Sequence, residues 1–230
     1  MTGILLLTAL AVAGTAASDL APEARPWAYH WWPGSAVDET NLARRLREFR
    51  DGGFGGVHVV PIYGVRGAEA RDVPYLSPRW LELFAFTVRQ ARALGLGVDL
   101  TVGTGWCFGG PPVTEDLGGQ AWEVRDGRLH TRPTRLRVKR AAPGGEGYMT
   151  NPYSPRSMRV WLDWWFERFQ PPADARPRAV YHDSYEYFGC TWSPELRGFW
   201  IKRHGNDPLE ELDALAGRGP VDRRAPVAAD

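Results

Sequence analysis

The chain has 230 residues, enough for one domain or a little more with a sizeable hydrophobic core. Apolar residues make up 43% of it and charged residues 24%, a globular composition that excludes a wholly disordered chain. Its 28 basic and 27 acidic residues leave a net charge of +1, so nucleic acid is a poor candidate partner. Two cysteines exclude a disulfide scaffold, whereas 11 tryptophans suit flat apolar binding surfaces as well as cores.

The N-terminus carries a short apolar run at residues 4–14, followed by small residues up to Ser18. This pattern predicts a secretory signal peptide over residues 1–17, although no Lys or Arg precedes the run. As a helix the run would rise about 16 Å, too short for a bilayer core of about 30 Å. A buried N-terminal helix is the alternative. We expect a mature chain without a membrane span, exported to the periplasm or the medium.

Strand-like and helix-like patterns alternate through the rest of the chain. Apolar or aromatic runs predict strands at residues 27–32, 56–62, 97–102 and 179–183. Helix-starting cap residues follow them at Asp38, Ser77, Ser154 and Ser193. In the third helix the candidate buried positions are Val160, Trp164, Phe166 and Phe169. The apolar positions of the fourth helix are Leu196, Phe199 and Trp200.

Residues 107–150 interrupt this alternation. Short alternating segments around Asp126 and Gly127 predict a small β-excursion at about residues 120–140. Repeated strand–helix units imply a parallel sheet, and glycine-rich or aromatic loops at strand ends are typical of a (β/α)8 barrel. A complete barrel needs eight units and about 250 residues. We therefore predict an α/β fold of the (β/α)8 TIM-barrel type, incomplete at about four units, over residues 27–217. A disordered tail would follow at residues 218–230, and a smaller open sheet is the alternative.

The densest group of chemically capable side chains follows the fourth predicted strand. Residues 181–187 read YHDSYEY, in which Asp183 and Glu186 are candidate catalytic carboxyl groups and His182 and Tyr185 are candidate substrate contacts. Packing against aromatic rings desolvates a carboxyl group, raises its pKa and suits it to general acid work. A carboxylate left in water stays ionised and can serve as a base or a ligand. A helix-capping loop with surface acids is the alternative.

Two other regions offer residues that suit a sugar. The glycine-rich turn TVGTGWCFGG, residues 101–110, contains Thr104 and Trp106 but lacks the spacing of a phosphate or dinucleotide loop. A tight loop packed under the β-excursion is the alternative there. Trp31 and Trp32 are adjacent in a predicted strand and must face opposite ways. One can therefore lie in the core while the other faces a ligand.

The histidines and cysteines leave further alternatives open. His30, His58 and His182 lie on three different predicted strands, where a three-histidine metal site is conceivable. Ordinary hydrogen-bonded histidines are the favoured interpretation. Cys107 and Cys190 both follow strand ends and could pair in an exported protein.

Several separated blocks, in order, resemble glycoside hydrolase family 106, the α-L-rhamnosidase family. They read GGVHVVPIYGVRG, YLSPRWLELF, LGVDLTVGTGWCFGGPPVT, NPYSP and YHDSYEYFGCTWSPEL, the last followed by FWIKRHGND. The resemblance covers roughly residues 27–217. It implies a (β/α)8 catalytic domain, inverting hydrolysis of terminal α-L-rhamnosides in a rhamnose-containing glycan, and a calcium ion that helps hold the sugar. The calcium ligands are not assigned.

The resemblance also points to individual residues. Glu186 matches a position where the family keeps an active-site glutamate, and Asp183 lies in the same block. Thr104 and Trp106 fall in the family's glycine-rich loop, and Tyr63 ends the second strand block. These positions join Trp31, Trp32, His182 and Tyr185 as the candidate site.

Two departures from the family shape the functional prediction. Family members are much longer than this chain. Their second essential glutamate lies downstream of the DSYE block, where this chain has no counterpart. An inverting glycosidase needs two carboxyl groups roughly 6.5–9.5 Å apart, and Glu186 can be only one of them. We therefore expect a truncated, rhamnosidase-like half barrel. The alternatives are a non-catalytic carbohydrate-binding protein, or a glycosidase that acts on another deoxy-sugar or a uronide-linked glycan.

Overall fold

The computed structural model describes residues 20–182 and 184–218. The predicted signal peptide, Asp183 and nearly all of the predicted tail lie outside the described residues. Among the helices in the described part, none combines the length and apolar character needed to cross a bilayer.

The described strands and helices follow the predicted alternation, with the β-excursion inserted before the third helix. In chain order they are β1 Trp27–Pro33, α1 Glu39–Asp51, β2 Gly56–Ile62, α2 Pro78–Ala93, β3 Gly97–Thr101, β4 Gly109–Gly110, β5 Gln120–Arg125, β6 Arg128–Pro133, β7 Tyr148–Met149, α3 Pro155–Arg168, β8 Ala179–Tyr181, α4 Pro194–His204 and α5 Leu212–Leu215. Short 3-10 helices lie at Pro22–Ala24, Glu69–Arg71, Ala173–Ala175 and Pro208–Glu211.

The main sheet has four strands in the order β1-β2-β3-β8, and every neighbouring pair is parallel. The predicted parallel α/β sheet is therefore confirmed. Within the described residues the sheet is open, because β1 and β8 stand at its two edges and do not pair with each other. This arrangement is compatible with an incomplete α/β fold and is not a closed barrel.

One face of the sheet packs against helices. Val57 and Val59 of β2 and Leu100 of β3 are buried in one cluster with apolar residues of α1, α2 and α3. The largest fully buried side chains of that cluster are Trp32, Trp80, Trp161, Trp165 and Phe84. We call this side of the sheet the helix face. It supplies the core, since burial of apolar area is the main favourable term in folding.

The opposite side, here the open face, is formed by Trp27, Tyr29, Trp31, His58 and Tyr181. Tyr29 is 49% exposed and Trp31 is 44% exposed. The hydroxyl groups of Tyr29 and Tyr181 lie 3.2 Å apart, although their strands are three spacings apart, about 14 Å in a flat sheet. Both tyrosine side chains therefore lean toward each other over the same face of the sheet.

The N-terminal end of the open face is closed by a packed ion pair. Arg178 donates to both carboxylate oxygens of Asp99, at 3.0 and 2.6 Å. Its guanidinium carbon also lies 4.1 Å from the centre of the Trp27 ring. That ring covers Gly56 and Gly97, where a Cβ would come within 2.4 and 2.3 Å of ring atoms. The accessible part of the open face is therefore the part nearer the carboxyl ends of the strands.

The predicted β-excursion is present as the antiparallel hairpin β5–β6. Its turn is made by Asp126 and Gly127, which both have positive φ, as a two-residue hairpin turn requires. Beyond β6, residues 134–147 run back to the loops at the strand ends, and we call them the return segment. Within it Arg137 forms a β-bridge with Tyr148, and Lys139 forms one with Trp106. This return segment positions the candidate site.

Candidate functional site

Residues 139–140 tie together the loops at the carboxyl ends of β2, β3 and β8. The amide of Tyr63, after β2, donates to the Arg140 carbonyl at 3.0 Å, and the amide of Trp106, after β3, donates to the Lys139 carbonyl at 3.1 Å. The Lys139 ammonium group donates to Glu186, after β8, at 2.8 Å. We call these residues, Tyr63, Trp106, Lys139, Arg140 and Glu186, the mouth. The glycine-rich turn and the YHDSYEY block therefore lie on the same side of the molecule.

Gly105 makes this close approach possible. Its amide donates to the Pro61 carbonyl at 2.9 Å, and its φ is +56°. A Cβ at this position would lie 1.9 Å from the Lys139 carbonyl oxygen, well inside contact distance. Only glycine lets the turn lie against the return segment.

Glu186 is a partly exposed carboxylate held by a cation. Its side chain is 34% exposed and that of Lys139 is 44% exposed. The hydrogen bond from Lys139 lowers the pKa of Glu186, with a smaller contribution from the hydroxyl of Ser184. Glu186 is therefore ionised at neutral pH. The sequence left two roles open for a carboxyl group of this block, a desolvated general acid and an ionised base or ligand. Glu186 fits the second role and does not fit the first.

An aromatic cluster attaches the YHDSYEY block to the glycine-rich turn. The His182 ring meets Phe108 with centroids 4.0 Å apart and stacks on Tyr187 at 6.2 Å. The Tyr187 hydroxyl accepts from the Phe108 amide at 2.9 Å, and burial raises the pKa of Tyr187 to about 12. Tyr185 is exposed and touches Tyr187, with ring centroids 4.8 Å apart. Tyr187 therefore anchors the block, with the rings of His182 and Tyr185 against its own ring.

The remaining candidate residues fall into accessible and buried groups. Tyr63 is 44% exposed in the mouth, and Trp31 stacks on Tyr29 on the open face with ring centroids 5.0 Å apart. Trp32 is fully buried on the helix face, where its ring meets Trp80. Thr104 is 3% exposed and lies against Gly145. Trp32 and Thr104 thus lie in the packed interior, whereas Trp31 and Tyr63 can meet a ligand.

Sequence reasoning missed the residues that assemble the mouth. Lys139 and Arg140 belong to a run of basic residues that looks like an ordinary solvated segment, and no local signal relates them to strand ends. It also missed Asp72, whose carboxylate occupies the space where side chains at Gly34 and Gly64 would be, beside the ends of β1 and β2. Its Oδ1 atom is buried and has no hydrogen-bond partner among the described residues.

The described residues do not fit a metal centre. No group of three or more His, Cys, Asp or Glu side chains in residues 20–182 and 184–218 could hold an ion. His30 packs against Phe49 on the helix face, whereas His58 meets Tyr181 on the open face, so the three histidines do not converge. One oxygen of Glu186 is occupied by the Lys139 ammonium group. A three-histidine site is therefore excluded for these residues, and we assign no step to calcium.

The two cysteines lie in the same small apolar cluster. Cys107 and Cys190 are both buried there with Val138, Met149 and Tyr187. The structure holds both as thiols, and burial raises the pKa of Cys190.

Comparison with known proteins finds limited similarity. No family model matches the chain. A stretch of 91 residues, 39% of the chain, is 31% identical to 7% of a Formosa agariphila protein named "Putative beta-glucuronidase". A solved rhamnosidase from Novosphingobium sp. PP1Y matches 47% of the chain and 11% of its own length, with 23% identity and a TM-score of 0.38. The chain spans only a small part of either protein, and this structural likeness is too low to compare the sites.

Proposed function

We propose that this chain carries part of the active site of a glycoside hydrolase that cleaves terminal α-L-rhamnosides of plant or bacterial polysaccharides. The observation that carries this proposal is the Lys139–Glu186 pair at 2.8 Å, which joins the loops after β3 and β8 in the mouth. A β-glucuronidase name in the matched relative supports a glycosidase, and the family 106 resemblance supports rhamnose. The proposal includes export of the mature chain.

The geometry suits Glu186 to the work of a general base. Lys139 binds Oε2 and keeps the carboxylate ionised, which leaves Oε1 to accept a proton from water. That water would add to the anomeric carbon on the face opposite the leaving oxygen, which inverts the configuration. The bond to the leaving oxygen breaks as that oxygen takes a proton from a second carboxyl group. Asp183 lies outside the described residues, and we do not assign this acid.

Aromatic rings would bind the sugar. Trp31 and Tyr29 form a stacked pair on the open face, and Tyr63 offers a further ring in the mouth. Sugar rings present C–H faces that pack against such surfaces, while ring hydroxyl groups need polar partners at the edge.

Release of 4-nitrophenol from 4-nitrophenyl α-L-rhamnoside by the purified chain tests this function. Because 4-nitrophenolate leaves readily without a proton from the second carboxyl group, we expect slow turnover by this partial site, and it should fall at least about 100-fold in Glu186→Gln, the range of a lost general base. Glu123→Gln, in the exposed hairpin, is the matched control and should keep wild-type turnover. Turnover unchanged by Glu186→Gln would refute the role of this residue. Cleavage of a β-glucuronide or α-L-fucoside in preference to the rhamnoside would refute the rhamnosidase assignment.

A second candidate function is favoured by the exposed rings alone. A non-catalytic carbohydrate-binding protein needs the stacked Tyr29–Trp31 platform and does not need Glu186. It predicts saturable binding of rhamnose-containing oligosaccharides with no hydrolysis. In that case Trp31→Ala or Trp106→Ala should weaken binding, whereas Glu186→Gln should leave it unchanged.

A further inference from the structure

We propose that Arg140, stacked on Tyr63, forms a subsite for the negative charge of an acidic sugar next to the rhamnose. The glycan recognised would then carry a carboxylate or sulfate group on the unit beside the reacting one. This inference rests on the proposed function and names its substrate class more closely.

The position of Arg140 is fixed from two sides. Its carbonyl accepts a hydrogen bond from the Tyr63 amide at 3.0 Å, and its backbone has a φ of +58°, which is uncommon outside glycine. Its guanidinium carbon lies 4.9 Å from the centre of the Tyr63 ring. The ring is 44% exposed, so the stacked pair faces solvent at the end of β2. A planar cation on an aromatic face loses little further freedom when it binds a ligand.

Among the described residues Arg140 has no carboxylate partner, which sets it apart from Lys139 and Arg135 but not from Arg137, whose guanidinium lies over the Tyr148 ring. Lys139 is paired with Glu186 at 2.8 Å, and Arg135 with Glu115 at 3.2 Å. Among the described residues, no Asp or Glu lies within ion-pair distance of Arg140. The five residues that define the mouth therefore carry one net positive charge, that of Arg140, whose position is defined by the backbone.

The chemistry of this pair selects an anionic sugar. The guanidinium fork matches the two oxygens of a carboxylate or sulfate, and charge-assisted hydrogen bonds are the strongest that a surface site offers. The Tyr63 ring beside it can pack against the sugar ring that bears the charge. Arg140 directly follows Lys139, whose side chain holds Glu186, and its carbonyl is bound by the Tyr63 amide, so the subsite belongs to the same cluster of strand-end loops as Glu186. A neutral neighbouring sugar would use none of this charge.

Binding calorimetry with two matched probes tests the proposal. The probes are α-L-rhamnosyl-(1→4)-D-glucuronate and its carboxyl-reduced, neutral analogue. We expect about tenfold tighter binding of the acidic probe, the size of one charge-assisted contact, and a smaller preference at high salt. In Arg140→Gln the ratio of the two dissociation constants should fall to about one. Arg140→Lys should keep part of the preference, and Arg128→Gln, on the exposed hairpin, should keep all of it.

The outcomes separate this inference from the function on which it rests. Equal binding of both probes, or a preference that persists in Arg140→Gln, would overturn the subsite and leave the proposed function standing. A preference that depends on Arg140 but is unchanged when rhamnose is replaced by glucose would support the subsite and refute the rhamnoside assignment. Binding of neither probe would overturn both. A probe in which glucose 6-sulfate replaces the glucuronate, with its charge on the same arm of the sugar as the carboxylate, shows which anionic group the subsite prefers.

Discussion

Helices α2 and α4 start in the same way but differ in burial. In α2 the Ser77 hydroxyl accepts from the Trp80 amide at 3.3 Å, and in α4 the Ser193 hydroxyl accepts from the Leu196 amide at 3.0 Å. Proline occupies the first position of each helix. Yet α2 buries a full row of side chains, and α4 buries none, with Phe199 52% exposed.

The difference comes from the neighbours of each helix. Helix α2 packs on the sheet beside α1 and the 3-10 helix Ala173–Ala175, where Arg89 binds Asp174 with two hydrogen bonds. Helix α4 follows β8, an edge strand whose Val180 is 48% exposed. A capping residue and a proline start a helix locally, but an apolar stripe is buried only where another element covers it. The predictions below test this contrast.

Trp80→Ala in α2 should have the largest effect. The Trp80 ring is fully buried, stacks on Phe84 and donates through its indole nitrogen to the Ser35 hydroxyl at 3.0 Å. We expect its removal to lower the free energy of unfolding by about 3–5 kcal/mol. Denaturation in urea measures this loss, and Trp80→Phe should recover part of it. A loss below about 1 kcal/mol would mean that α2 is not packed as described.

A pH series tests the helix face through His30. Burial, with a smaller contribution from Arg45, lowers the pKa of His30 from 6.5 to about 4. Because the unfolded histidine takes up its proton near pH 6.5 and the folded one only near pH 4, stability should be full above pH 6.5. It should then fall as the pH drops to 4, by at most about 3 kcal/mol.

Unfolding in urea at pH 7, 6 and 5 gives the slope of stability with pH. His30→Gln should flatten that slope, whereas Phe49→Leu alters the packing around His30 without removing the titrating group and should keep it. An identical slope in wild type and His30→Gln would contradict the burial of His30.

Removal of the two serine caps compares the helices directly. Ser77→Ala should lower global stability by about 1 kcal/mol, since the cap satisfies a backbone amide of a helix that unfolds with the core. Ser193→Ala removes a cap and also the hydrogen bond that this fully buried hydroxyl donates to the Tyr153 carbonyl at 2.7 Å. Because a helix that buries no side chain can open locally, we still expect a smaller loss of global stability and faster amide hydrogen exchange in α4. Equal losses of global stability would show that α4 unfolds together with the core.

Phe199→Ala should have the smallest effect. This side chain is more than half exposed, so its removal should change the free energy of unfolding by no more than about 0.5 kcal/mol. A larger destabilisation, measured as for Trp80→Ala, would mean that α4 packs against another element in solution.

The third helix shows where a sequence pattern becomes ambiguous. The apolar stripe predicted burial of Val160, Trp164, Phe166 and Phe169. Phe169 is buried, but the fully buried tryptophans are Trp161 and Trp165, and Phe166 is 56% exposed. The helix carries so many aromatic residues that more than one stripe is possible. In the fold the stripe that contains Trp161 and Trp165 is the buried one. The Trp161 indole donates to the Gly109 carbonyl, and the Trp165 indole donates to the Tyr75 hydroxyl.

The residues of the mouth also differ in whether the sequence could predict them. The carboxylate Glu186 and the turn around Trp106 could be predicted, because acids and glycine-rich loops after strands are local patterns. Lys139 could not, since its partner Glu186 lies 47 positions away and its own surroundings look like solvated surface.

The sequence by itself determined the helix starts, the strand order along the chain and the hairpin turn, because each depends on residues a few positions apart. Tertiary structure alone decided that Trp31 faces outward and Trp32 inward, and that a lysine neutralises Glu186. It also decided that no described element covers α4. These features depend on which distant segments share a face, and distant contacts leave no periodic trace in the chain.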